Sequence, residues 1–293
     1  MNKKTPYILI MPIVLLGVLF LSGVLNGIIQ SFGYIPAYNL KEITLEYYIE
    51  ILNSSALLDS LKVSLQISII SSVLAVILGT ILTAALVYTG HTEGRVIQII
   101  KLAILIPHTI VALFSISILS QNGLLARLFY KLGLINTQGD FPLLLYTKNN
   151  FGIILSYMWK EVPFVAYFSL SLMSSINKTL GEASINLGAS KLRTFFLITL
   201  PLSMPAIRKA FLIILTFSFG AYELPFLLGP TIPKALPVQA YIEYIHPDLR
   251  HRPYAMAMNG LILIITWTMA GIYYFINKKR KIKGDVNERY LFK

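Results

Sequence analysis

The chain has 293 residues, of which 56% are hydrophobic and 13% charged, and its mean hydropathy is +0.69. A soluble domain carries about 25% charged residues, so this composition is typical of a polytopic membrane protein. The absence of cysteine excludes disulfides, thiolate catalysis and thiolate metal sites. A formal charge of +12 would suit nucleic acid, but its distribution along the chain indicates a membrane protein without a nucleic-acid partner.

Six apolar runs are long enough to cross about 30 Å of hydrocarbon as α-helices. We predict an all-α, polytopic membrane helical bundle with six transmembrane helices, formed by one domain over residues 1–293. The first run follows Lys3 and Lys4, but it is too long for the apolar core of a signal peptide, so we expect a retained span. The predicted spans lie near residues 7–29, 61–88, 96–120, 151–174, 206–228 and 254–277.

The basic residues indicate how these spans are oriented. With the N-terminus in the cytoplasm, sixteen basic and four acidic residues fall on the cytoplasmic side, while nine of each fall outside. The whole positive excess is then cytoplasmic, as the positive-inside rule expects. We predict a multi-pass protein of the plasma (inner) membrane with both termini in the cytoplasm. The basic residues within 278–283 are expected to meet anionic lipid headgroups.

Prolines are predicted to kink the third, fourth and fifth spans, at Pro107, Pro163 and Pro225. Each removes a helix hydrogen bond, and a carbonyl freed at membrane depth is tolerated only where it faces protein or water. Ionisable residues inside apolar spans often mark a transport pathway. The candidate pathway residues near these prolines are Trp159, Lys160, Glu161, Tyr222 and Glu223.

Other interpretations of these charges remain open. Lys160 could pair with Glu161 or Glu223 for structural reasons, or its side chain could extend toward the outer interface. In the outer loop, His246, Asp248 and His251 could suggest metal ligands. Clustered surface residues of this kind more often bind no metal, so we predict no metal site.

Residues 175–201 form a polar, basic interruption between the fourth and fifth spans. Thr179 and Glu182 fit a capping box for a first short helix, which Gly188 would end in the left-handed conformation. Ser190 can cap a second short helix, and Pro201 is expected to begin a new one. The pattern predicts a helix–turn–helix on the membrane surface with small residues facing outward. An ordinary amphipathic connector, in which Glu182 only caps its helix, is the alternative.

The same loop carries a family signature. Glu182-Ala183-Ser184 is followed by three residues, Gly188, and eleven more residues before Leu200-Pro201. This resembles the EAA loop of permease subunits of binding-protein-dependent (type I, MetI-like) ABC importers, in which a second alanine stands where this chain has serine. The resemblance implies cytoplasmic coupling helices that dock on a separate ATPase. The implied coupling residues are Glu182, Ala183, Ser184, Gly188, Ala189, Leu200 and Pro201.

The resemblance further implies a MetI-like membrane core that pairs with a second permease subunit, either a paralogue or a copy. Two ABC ATPase subunits and an extracytoplasmic binding protein would complete the importer. The sequence contains no phosphate-binding P-loop, so ATP and Mg would be used by the ATPase. We expect this chain to bind no cofactor, to have no catalytic residue and to be no enzyme.

The stretch FGAYELPFLL at 219–228 most resembles permeases for polyamines, ferric ion or 2-aminoethylphosphonate. Glu161 and Glu223, with the neighbouring aromatic residues, would suit an amine through ion pairing and cation–π contact, so a polyamine-like cargo is favoured. Lys160 would equally suit a phosphonate or another small anion. Two functions of other classes stay open: an ion-coupled secondary transporter and a membrane protein that transports nothing.

Overall fold

The computed structural model describes residues 5–291, and the side chains of Tyr7 and residues 9–278. Some residues used above to orient the spans have side chains that are not among those described: Lys3, Lys4 and the basic residues within 279–283. In the described part the regular structure is helical, and the one β-type pairing is an isolated bridge between Ile35 and Leu40. The predicted all-α class is therefore confirmed.

The α-helices of the described residues are, in chain order, α1 (Thr5–Ser31), α2 (Glu46–Asn53), α3 (Ser55–Tyr88), α4 (Arg95–Leu105), α5 (His108–Leu119), α6 (Leu124–Lys131), α7 (Phe151–Ile176), α8 (Glu182–Asn186), α9 (Lys191–Thr194), α10 (Leu200–Gly220), α11 (Glu223–Leu228), α12 (Leu236–Tyr244) and α13 (Arg252–Leu291). Short 3-10 helices lie at Pro36–Tyr38, Gln138–Asp140 and Leu249–His251, and π turns lie at Asn177–Gly181 and Phe195–Thr199.

Helices α3, α7 and α10 pack against one another at the centre of the bundle. The contact between α3 and α7 is close because small residues lie there: a Cβ atom on Gly79 would come within 2.6 Å of Val165. Thr83 donates to the Gly79 carbonyl at 2.7 Å, and its hydroxyl lies 3.0 Å from that of Ser169. Small and hydroxyl residues are common where membrane helices meet. The other helices surround this centre: α4 packs on α7, while α13 packs on α1, α10 and α12.

Length and composition identify five described stretches that could cross a membrane: Leu9–Ser31, Ser55–Tyr88, His108–Lys131, Lys191–Gly220 and Leu249–Lys278. The fourth predicted span, 151–174, is not among them. It forms α7, whose 26 residues reach about 39 Å, but Lys160 and Glu161 lie near its middle. The multi-pass membrane class is confirmed, while apolarity alone supports five spans rather than the six predicted.

The three prolines do not act alike, and only one of them lies at a break. Pro107 lies at a full break, because α4 ends at Leu105 and α5 begins at His108. Pro163 lies inside α7, which continues through it, so the span is not broken there and the kink at Pro163 stays a prediction. Pro225 also interrupts nothing, since it lies in the first turn of α11, where a missing N–H costs no helix hydrogen bond. The fifth span breaks earlier, between Gly220 and Glu223.

Candidate functional site

The loop between α7 and α10 begins without the predicted capping box. Helix α7 runs through the π turn Asn177–Gly181 directly into α8. Thr179 is therefore helical, and its hydroxyl donates to the Ser175 carbonyl at 3.0 Å instead of capping a new helix. An N-cap residue needs a non-helical backbone. Because the helix is continuous here, Thr179 is not an N-cap, and Glu182 is not the second residue of a capping box.

The turn of the loop forms as predicted. Gly188 has a φ of +94°, in the left-handed region that favours glycine. Its N–H donates to the Ile185 carbonyl at 2.9 Å, and the Ala189 N–H donates to the Ser184 carbonyl at 3.1 Å. Ser190 then caps α9 by accepting from the Arg193 N–H at 3.3 Å. The predicted helix–turn–helix centred on Gly188 is therefore present.

Two hydroxyl contacts hold the loop in shape and attach it to the bundle. The Ser184 and Thr194 hydroxyls lie 3.1 Å apart and join the two short helices, with Thr194 buried. The hydroxyls of Tyr88, at the end of α3, and of buried Thr199 lie 3.4 Å apart. A displacement of the loop would therefore be passed to α3 and α10.

The outward surface of the loop has the predicted small residues at Ala183 and Gly188, but it also exposes charged residues and large apolar side chains. Glu182 and Ala183 are exposed, and Ser184 and Ala189 half-buried. Beside them large apolar side chains face solvent, with Leu187 90% exposed. Apolar surface left in water favours association with a partner. The large exposed side chains are Leu180, Leu187, Leu192, Phe196 and Leu197.

Pro201 lies in the first turn of α10 as predicted, but the old helix does not end before it, because the chain is helical from Lys191 to Gly220. A proline inside a helix cannot donate and crowds the carbonyl four residues earlier. The π turn Phe195–Thr199 comes immediately before Leu200 and Pro201. A π turn widens the helix by one residue and gives room for such a defect, which explains why the helix continues.

Lys160 lies at the break between α4 and α5. Its ammonium donates to the Ile104 carbonyl at 2.8 Å and also to the Ile106 carbonyl. These carbonyls end α4, where no following helical N–H is available. No ion pair joins Lys160 to Glu161 or Glu223 in the described structure. Lys160 is thus a C-terminal cap supplied by another helix.

Glu161 points into the chain. It is 4% exposed, the Ser71 side chain faces its carboxyl group, and neither carboxyl oxygen has a hydrogen bond of normal geometry. The fully buried Tyr157 hydroxyl, one turn earlier on α7, also has no partner. Unpaired buried polar groups are costly and usually have a functional or structural reason. Glu161 is nevertheless covered by this chain itself and does not lie on its surface.

Trp159 lies on another face of α7 and does not join the other candidate pathway residues. It is 47% exposed and lines an apolar groove of about 890 Å³ with Leu78, Ile99 and Phe114. Successive residues on a helix point about 100° apart, so Trp159 and Glu161 are directed to opposite sides. This placement is typical of a lipid-facing aromatic residue rather than one in a polar pathway.

Glu223 is the first residue of α11 and is half-buried. The Tyr222 ring stacks on Tyr241 at 5.0 Å, and Phe226 meets Tyr241 edge-on at 5.5 Å. No described residue forms an ion pair with Glu223. The three aromatic rings therefore form one cluster at the start of α11, while the Glu223 carboxylate is within electrostatic range of His108 and Tyr157.

His108 belongs to the same region, although the sequence analysis did not select it. Its ring lies 4.9 Å from Phe217 and 6.2 Å from Tyr157. It is within electrostatic range of Lys160 and Glu223, and α5 packs against α11. An ionisable residue directly after Pro107, inside an apolar run, was the signal that could have identified it.

The outer loop holds no metal cluster among the described residues. His251 contacts Glu243 at 2.8 Å and stacks on His246 with ring centroids 3.6 Å apart. The Asp248 carboxylate accepts hydrogen bonds from Arg250, and these lower the pKa of Asp248 to about 2. These groups bind one another, which indicates a structural role in joining α12 to α13.

Comparison with known proteins finds transport system permease proteins among the relatives of this chain. No protein-family model matches the chain. The spermidine/putrescine transport system permease protein PotB of Escherichia coli K12 is 27% identical over 173 residues, 56% of this chain and 59% of PotB. PotB of Salmonella typhimurium SL1344 is 28% identical over 169 residues, 55% of each chain. The chain thus spans less than two thirds of the length of the curated relatives it matches.

Solved structures share the fold over nearly the whole chain. A chain of a bacterial alginate ABC transporter, in complex with an alginate pentasaccharide-bound periplasmic protein, matches with a TM-score of 0.76, 20% identity and 95% of both chains covered. A second structure, of a bacterial ABC transporter involved in the import of the acidic polysaccharide alginate, matches with a TM-score of 0.73, 21% identity, and 94% of this chain and 96% of that chain covered. The shared fold and the similarity to PotB confirm the predicted resemblance to ABC importer permeases.

Proposed function

We propose that this chain is a permease subunit of an ATP-driven importer and forms half of a translocation pathway. The observation that carries the proposal is the loop around Gly188, a helix–turn–helix attached to α3 and α10 that exposes large apolar side chains. Such a surface suits docking on an ATPase subunit, whose movement the attached helices would pass to the bundle. The alternative of a plain connector gives no reason for Leu187 to be 90% exposed.

The partners follow from this role. A second permease subunit would complete the pathway, two ABC ATPases would use ATP and Mg, and an extracytoplasmic binding protein would deliver the cargo. The alginate transporter with its periplasmic protein is an assembly of related kind. We place the loop and both termini in the cytoplasm, because the positive excess then lies inside.

The proposed cargo is a polyamine-like cation. Glu223 has no ion-pair partner among the described residues, and aromatic residues stand on either side of it along the chain, Tyr222 directly before α11 and Phe226 within it. A carboxylate with aromatic faces suits an ammonium group. The PotB relatives carry spermidine/putrescine in their name. A small anion or ferric ion is less favoured, since the Lys160 ammonium is already bound to carbonyls.

Co-purification tests the docking surface. The full-length chain, expressed from its native locus with an affinity tag, should retain an ABC ATPase in mild detergent. Gly188→Trp should remove the ATPase while membrane yield persists, because bulk at the turn obstructs docking. Gly90→Trp is the matched control: Gly90 also has a positive φ of +76° and open space around it, but lies in another turn. Retention of the ATPase by Gly188→Trp, or equal loss in both variants, would reject the docking role.

A further inference from the structure

Two grooves of similar size flank α4, and they differ in chemistry. One, of about 890 Å³, contains Trp159 and is otherwise lined by apolar side chains and two serines, Ser115 and Ser156, which bond each other at 2.6 Å. The other, of about 920 Å³, lies between α4 and the end of α7 and has many polar side chains. A surface rich in unbonded polar groups is expensive against hydrocarbon. The second groove is therefore suited to water or to a polar ligand rather than to hydrocarbon.

The polar lining is regular along α7. Ser171, Ser174, Ser175 and Lys178 follow the spacing i, i+3, i+4 and i+7, so they share one face of the helical segment. Across the groove, Gln98 and Lys101 lie one turn apart on α4. The groove thus combines two ammonium groups with several hydroxyl donors, a set that favours an oxyanion. Glu93 is the acidic residue among those lining it.

The groove also has an apolar side. Ile97 and Leu170 are buried in its wall, while Tyr167 and Phe168, further from the loop, are exposed. The Lys101 ammonium lies 5.1 Å from the centre of the Tyr167 ring. Along α7 the serines and Lys178 therefore lie toward the Gly188 loop and the exposed aromatic rings lie toward the middle of the membrane, with the Lys101 ammonium beside the Tyr167 ring. This order matches an amphiphile whose charged head is at the cytoplasmic interface.

We propose that this groove binds the phosphate group of an anionic phospholipid from the cytoplasmic leaflet. Lys178 and the neighbouring serine hydroxyls would hold the phosphate, Lys101 would add positive charge at the deeper end of the groove, and an acyl chain would lie along Tyr167 and Phe168. Basic pockets between membrane helices on this side are suited to anionic headgroups. A cationic cargo would be repelled by the two lysines. The assignment rests on the cytoplasmic placement of the loop proposed above, and not on the cargo.

The test measures lipid binding by the purified full-length chain in detergent. Thermal stability and native mass spectrometry are followed during titration with phosphatidylglycerol, phosphatidylcholine or inorganic phosphate. Phosphatidylglycerol alone should bind and raise the melting temperature. The double variant Lys101→Gln/Lys178→Gln should weaken its binding about tenfold or more per lost ammonium. The matched control, Lys191→Gln/Arg193→Gln, removes the same charge from the exposed coupling loop and should bind as the wild type.

A second variant keeps the proposal testable if the double variant does not fold. Ser175→Leu fills the groove without changing its charge and should also lose the lipid. Equal binding of the two lipids, equal loss in the groove and control variants, or wild-type binding by Ser175→Leu would overturn the proposal. Stabilisation by inorganic phosphate as strong as by phosphatidylglycerol would overturn the lipid assignment. None of these readouts uses transport or ATPase binding, so failure here is distinct from failure of the proposed function.

Discussion

Two of the predicted spans are broken, one between α4 and α5 and the other between α10 and α11. The charged residue at the first break lies at the C-terminal end of a helix, and the charged residue at the second lies at an N-terminal end. At the first, α4 ends in carbonyls, which the Lys160 ammonium from α7 satisfies. At the second, α11 begins with Glu223, so a carboxylate lies where free N–H groups and the positive end of the helix dipole occur. Each break thus has the charge that its helix end favours.

The breaks differ in what remains available for a cargo. The Lys160 ammonium is bound to two carbonyls of its own chain, so its charge is used by the scaffold. Glu223 is half-buried, within electrostatic range of His108, and has no ion-pair partner among the described side chains. The two charged residues at the breaks therefore differ: Lys160 is bound by the scaffold, whereas we propose that Glu223 is open to a ligand.

The largest effect is expected from Lys160→Met, which leaves the Ile104 and Ile106 carbonyls without their donor. Hydrogen bonds to charged groups contribute about 1.5–3 kcal/mol each, so membrane yield and melting temperature should both fall strongly. Lys62→Met is the control, because that ammonium is 77% exposed and pairs only with Asp59 in its own helix. Wild-type stability of Lys160→Met would show that the cap is dispensable. Loss of anion uptake at full stability would instead make Lys160 a cargo residue.

The next effect concerns Glu223→Gln, which keeps the shape of the side chain and removes its charge. Protein yield should remain, while uptake of labelled spermidine by vesicles should fall about tenfold, the size of one charge-assisted contact. Glu42→Gln, at an exposed acid of the segment that follows α1, should transport normally. Unchanged uptake in Glu223→Gln, or loss of the protein itself, would remove the proposed difference between the two breaks.

A smaller effect links Pro107 to Lys160. Pro107→Ala restores a backbone N–H at the first break and allows α4 to continue toward α5. Lys160→Met should then cost less in this background, with a coupling free energy of about 1 kcal/mol in a double-mutant cycle of thermal stability. Strict additivity would mean that Lys160 does not act through the break.

The smallest effect lies in the outer loop that follows the second break. The pKa of Asp248 is lowered to about 2 by hydrogen bonds from Arg250, so its stabilising contribution is present above the ordinary value of 3.8 and is lost as pH falls through about 2. This exposed pair contributes little. Arg250→Gln should lower the melting temperature slightly at about pH 5, with no difference from wild type near pH 2. A difference that grows at low pH would contradict this origin.

The sequence predicted features set by local spacing and missed those set by contacts between distant residues. The Gly188 turn and the Ser190 cap need only their neighbours, and both are present. Thr179 was misassigned because the helix continues from α7 through the π turn into α8, and a residue inside a continuous helix cannot be an N-cap. The two carbonyls that bind Lys160 belong to residues 54 and 56 positions earlier in the chain. The burial of Glu161 likewise depends on packing between helices. His108 was missed because its neighbours come from α7 and α10.

ATP-driven uptake by the purified complex in proteoliposomes tests the central claim most directly. We predict that a labelled polyamine enters only when the binding protein is outside and ATP is on the side of the Gly188 loop. Gly188→Trp should abolish this uptake, whereas Gly90→Trp should preserve it. Uptake that continues without ATP and stops when an ionophore removes the ion gradient would contradict the account, and would make the chain an ion-coupled secondary transporter.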